Sequence, residues 1–226
     1  MKGIVFSMKN HKKIFGFTKQ PKRITAFSFK RFWTYYSVQV FFALCFFVGI
    51  VFGSRFISIA SADFLKKIDF LFLTNLQSRL ELSAFEIFSA SFASDFIFIL
   101  LAFLSGLSAW GIFSLSFLCA FKGIGVGISS MYLYSQYSIT GIGFYILVVL
   151  PGTVLFFFAF ICALREAFTQ SLALFRILFS SETNLSMSRY TKTYLFRNGV
   201  VVVFTMFSSV INMILWVLFA NMFNFK

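Results

Sequence analysis

Acidic residues are scarce in this chain. Seven Asp and Glu stand against 20 Lys and Arg in 226 residues, and all charged residues together make up only 12%. A water-facing surface normally draws on about twice that charged fraction, so most of the chain is not built for water. Histidine occurs once, as His11, and cysteine three times, as Cys45, Cys119 and Cys162. That excludes a Cys-His metal cluster. The three thiols all fall inside apolar runs, where cysteine packs as a small hydrophobe. Also missing are a Walker phosphate loop, HExxH, GxSxG and any paired catalytic constellation. Hydrolytic and redox chemistry therefore has no visible apparatus, and no cofactor or metal is implied.

What the chain has instead is apolar bulk: 59% hydrophobic residues, 38 of them Phe, and a mean hydropathy of +0.88. Four runs carry no charge at all, 35–54, 96–121, 123–164 and 198–225. A helix rising about 1.5 Å per residue needs ~20 apolar residues to cross ~30 Å of hydrocarbon. Three runs hold a span each and 123–164 holds two. Strands are disfavoured, because lipid satisfies no backbone hydrogen bonds and no apolar-polar alternation marks a barrel. The first run starts after more than thirty residues rich in Lys and Arg and has no small-residue cleavage site, so it reads as a retained anchor.

These runs predict an all-α polytopic membrane protein with five spans, near 35–54, 88–105, 109–134, 139–164 and 198–223, forming one bundle over 35–226. The part between 88 and 135 decides the count. A single span ending at Lys122 would strand 123–135, which is too short to cross. A tight hairpin turning near Gly106 gives two spans and buries both Asp95 and Lys122. Each buried charge costs about 2.5–3.5 kcal/mol on insertion scales, so the two must be paired. Asp95 lies 12 residues before Leu107 and Lys122 15 after it, which brings them within about one helical turn of equal depth. Lys122 could serve as a transport or proton-relay element, but with no chain of acids or histidines beside it a structural lock is the favoured reading.

Residues 1–34 form a basic arm of nine Lys and Arg with no acid, a retention signal for the cytoplasmic side. Lys12, Lys13, Lys22, Arg23, Lys30 and Arg31, interleaved with Phe, suit an anionic lipid surface. Nucleic acid would use the same charges but is the weaker partner beside a membrane. The 55–87 loop holds Asp63, Asp69, Glu81 and Glu86 and is expected outside. Its segment 64–76 has the spacing of an amphipathic helix. Its acids make no glycosidase pair, because the loop lacks a rigid support. The 165–197 loop carries Arg165, Arg176, Arg189, Lys192 and Arg197 and is expected inside, with residues 168–179 as an amphipathic extension and 181–192 as a polar linker. This arrangement puts the N-terminus in the cytoplasm and the C-terminus outside. Gly49 with Gly53, and Gly123 with Gly127, have GxxxG spacing. They serve close helix packing within the chain or a face for a homo-oligomer. Pro151, followed by Gly152, should kink the fourth span by removing a backbone donor.

Three motifs carry a resemblance. Phe46-Phe47-Val48-Gly49-Ile50-Val51-Phe52-Gly53, Phe121-Lys122-Gly123-Ile124-Gly125-Val126-Gly127 and Val149-Leu150-Pro151 resemble stage II sporulation protein M, in order and spacing. The helix ending in Ala173-Leu174-Phe175-Arg176-Ile177-Leu178-Phe179 is similar to the basic end of the corresponding family helix. The resemblance covers roughly residues 38–224. Family members outside the sporulation branch often have His-Gly and then a Glu after this Pro. Here Gly152-Thr153-Val154-Leu155-Phe156 follows, so that polar cluster is not carried over. The resemblance implies a non-enzymatic membrane scaffold that recruits a partner membrane protein and a peptidoglycan amidase for engulfment in endospore formers. The rival class is the membrane subunit of a transporter or exporter without its own ATPase.

Overall fold

A backbone inside hydrocarbon must satisfy its own N–H and C=O groups, and a helix does this within one segment. The computed structural model describes residues 29–59, 83–179, 187–219 and 222–223, and these contain no strand. The helices are α1 (Phe29–Ile59), α2 (Ala84–Gly106), α3 (Gly111–Phe144), α4 (Leu150–Phe179) and α5 (Met187–Phe219), with a π turn at Tyr145–Val149. Among the described residues five stretches are long and apolar enough to cross a bilayer: Tyr36–Ile57, Ala84–Gly106, Gly111–Ser135, Tyr137–Phe179 and Thr191–Phe219. The five-span reading holds. By its contacts the chain divides after Tyr35. In the first unit only the backbone of 29–35 is described, as the opening turns of α1.

Several boundaries differ from those expected. Helix α2 starts four residues early because Ser83 caps it. The Ser83 N–H donates to Glu86 Oε2 at 2.8 Å, and the Glu86 N–H donates to Ser83 Oγ at 3.4 Å. This Ser-x-x-Glu capping box was readable in the sequence. Ser83→Ala is expected to cost about 1 kcal/mol and to speed amide exchange in the first turn of α2 roughly fivefold. Unchanged exchange there would assign the helix start to packing alone. Helix α5 begins at Met187, so residues 187–192, expected as linker, are helical. Charges at Arg189, Lys192 and Arg197 mark where lipid ends, which is not where the backbone stops coiling. The third and fourth spans part at Ser138, with φ 49° and ψ −129°. Gly141 serves this break, because a Cβ there would collide with the Leu133 carbonyl oxygen. The amphipathic segment 64–76 lies outside the described residues.

Helix α4 is the inner post, packed against α2, α3 and α5. Phe156, Phe160 and Leu164 on α4 are fully buried with Phe42 of α1, Ile99 of α2 and Leu115 of α3. The outer surface is as apolar as the interior: Phe113 and Phe117 are 73% exposed and Phe207 63%. In water such a surface would aggregate, whereas in lipid it is the solvated face.

The two GxxxG pairs face each other. A Cβ on Gly49 would strike the Ala120 carbonyl oxygen, one on Gly53 that of Ile124, one on Gly123 that of Phe46 and one on Gly127 that of Ile50. Helices α1 and α3 thus meet backbone to backbone. Cys119 donates its thiol to the Phe42 carbonyl across the same contact at 3.1 Å.

Candidate functional site

Asp95 sits halfway along α2 and Lys122 a similar distance into α3, on the two arms of a hairpin closed by residues 107–110. The turn is tight. Leu107 N–H donates to Leu104 O and Ser108 N–H to Ser105 O, both at 3.1 Å. Gly106 ends α2 where any side chain would run into Tyr194 and Ala167. The turn therefore falls just after Gly106. The carbonyls that α2 leaves without helical donors at this end are partly met from other helices. Tyr194 of α5 donates its hydroxyl to Phe103 O at 2.9 Å while its ring stacks on Phe103. Ser171 of α4 donates to Ser108 O at 2.7 Å. The hairpin is thus held in register by α4 and α5.

That register sets the ion pair. Lys122 Nζ lies 2.8 Å from Asp95 Oδ1, with only 13% and 19% of the two side chains exposed. The ammonium also lies 4.5 Å from the Phe98 ring centre and 4.7 Å from that of Phe156. A carboxylate and two ring faces replace water around the cation, and each ring is worth upward of ~0.5 kcal/mol once desolvated. The pair is net neutral, which is what makes its depth tolerable.

Beside the pair lies a pocket of about 540 Å³ whose walls come from α2, α3, the π turn, α4 and α5. It extends from Lys122, Asp95 and Phe156 toward Phe144 and Trp216, at the end away from the hairpin turn. Pro151 lacks the N–H that a regular helix would use, and the chain accommodates this with the π turn. Leu150 N–H reaches back five residues to Tyr145 O. Gly152 lets α5 approach closely: its carbonyl accepts from Ser208 Oγ at 2.7 Å, and a Cβ there would meet Asn212 Cβ at 3.0 Å.

The sequence reading missed Asn212. Its Nδ2 is 3.4 Å from Ser91 Oγ, while its buried Oδ1 has no partner among the described residues. An Asn in the middle of an apolar run was the available signal. Also missed was Arg197 on Glu166 at 2.7 Å, an ion pair with Arg197 largely exposed and so of small energetic weight. Of the expected lipid contacts, Lys12, Lys13, Lys22 and Arg23 lie outside the described residues. Lys30 and Arg31 are placed only as backbone at the start of α1. Among the described residues no group of His, Cys, Asp and Glu could hold a metal ion.

No curated protein and no solved structure matches the chain. Residues 41–216, most of the bundle, match the family described as stage II sporulation protein M. With the match covering three of the five spans fully and most of the first and the last, the chain belongs to the stage II sporulation protein M family.

Proposed function

We propose that the chain is a non-enzymatic membrane scaffold of the stage II sporulation protein M type, holding partner membrane proteins and, through them, a peptidoglycan hydrolase. The observation that supports this reading is the closure of the Lys122–Asp95 pair by Phe98 and Phe156. A cation held this way serves as a strut between α2 and α3. In this reading the N-terminus and the 165–197 segment face the cytoplasm, the 55–87 loop faces outward, and the chemistry belongs to the partners.

A second reading, the membrane subunit of a transporter or exporter, is favoured by one observation: the pocket that joins the ion pair to the irregular turn before Pro151. Broken helices beside midplane charges are what transport sites use.

Recruitment separates the two. In cells lacking the chain, a fluorescently tagged peptidoglycan hydrolase and its membrane partner should lose their membrane focus. The double variant Asp95→Leu/Lys122→Met, which replaces the strut by an apolar contact, should restore it. If recruitment persists in cells lacking the chain, while the double variant accumulates normally and yet abolishes efflux of a solute, the scaffold reading fails and transport takes its place.

A further inference from the structure

We propose that the pocket between α2, α3, α4 and α5 binds an uncharged, hydroxyl-bearing membrane amphiphile, with its head near Asn212 and Asp95 and its alkyl chain leaving between α2 and α3. Three observations specify this ligand.

The first is size and character. A volume of about 540 Å³ lies within the ~300–1,000 Å³ of small-molecule sites, which are mostly apolar with a few convergent polar groups. Here those groups are Ser91, Ser94, Asp95, Tyr145 and Asn212.

The second is charge. Lys122 and Asp95 neutralise each other across 2.8 Å. A charged head entering this space would have no counter-charge, so the head must be neutral. It must also form hydrogen bonds. Asn212 has one buried amide end without a partner among the described residues, and Lys122 engages only Oδ1 of Asp95, leaving Oδ2 able to accept. A hydroxyl both donates and accepts, so it satisfies Asn212 in either orientation of the amide.

The third is the mouth. Ile97, Leu101 and Phe121 line the pocket and are at the same time 53%, 43% and 44% exposed. They place its opening on the lipid-facing flank of α2 and α3, so the ligand arrives from the bilayer. Two head chemistries share these requirements, the glycerol of a monoacylglycerol and the sugar of an alkyl glycoside.

The test uses the full chain, purified without sugar detergents, in phosphatidylcholine nanodiscs. The probe is a monoacylglycerol carrying a diazirine beside its head. Adducts are expected on pocket residues of α2 to α5. Unlabelled monoacylglycerol or alkyl glucoside should compete, the stronger of the two identifying the head. The methyl ester of the same fatty acid, which has no hydroxyl, should compete about tenfold less well, the equivalent of a lost hydrogen bond to a buried group. Asn212→Leu and Ser94→Ala should each lower labelling by a similar factor. Equal competition by the methyl ester, adducts spread over outward residues such as Phe113 and Phe117, or no adduct at all would each overturn the proposal. The comparison of competitors needs only the parent protein and so does not depend on a variant folding.

Discussion

Lys122→Met is expected to destabilise the bundle by about 3–5 kcal/mol, the loss that follows when one partner of a buried ion pair is removed. Asp95 would be left as a largely buried carboxylate with no cation to hold its charge. The Asp95→Leu/Lys122→Met double variant should return to within about 1 kcal/mol of the parent, because an apolar pair of similar volume replaces an ion pair at little cost. Unfolding in bicelles, followed by a steric trap, would measure all three proteins. If the single and double variants were equally destabilised, the pair would not be a strut.

A loss of similar size is expected at the α1–α3 contact. Gly123→Val places a branched side chain against the Phe46 carbonyl and within 3.2 Å of Gly49 Cα. Backbone atoms cannot swing aside as a flexible side chain can, so the two helices must separate. Strain of this kind costs about 3 kcal/mol or more, the upper end for overpacking, and every contact along Gly49, Gly53 and Gly127 loosens with it. Gly199→Ala is the control: nothing lies within 4 Å of the added Cβ, and the change should be within about 1 kcal/mol and stabilising in sign. Folded yield and thermal transition in detergent would compare them. Similar behaviour of the two variants would contradict the close approach of α1 and α3.

Much of this was legible in advance, for particular reasons. Solvent class and span count follow from the four charge-free runs, since crossing hydrocarbon demands length and lack of charge and little else. The hairpin followed from Lys122, because 123–135 could not cross alone. Helix ends were less legible. The start of α5 at Met187 lies among charges that mark a lipid boundary, and the start of α2 depended on a Ser83–Glu86 capping box that hydropathy does not register. Asn212 looked like any polar residue in a span. Its unpaired amide end is visible only once α2 and α4 stand beside it.

By itself, the order of residues determined that the chain dwells in lipid, how often it crosses, and that Asp95 and Lys122 must share a depth, because each of these depends on distances along one helix. Which helices touch was decided only by the tertiary structure. GxxxG spacing says that a surface is flat but not what covers it, and the structure sets 49–53 against 123–127. The pocket is likewise a product of packing, since its walls come from segments more than a hundred residues apart, brought together because a π turn and Gly152 let α5 in close.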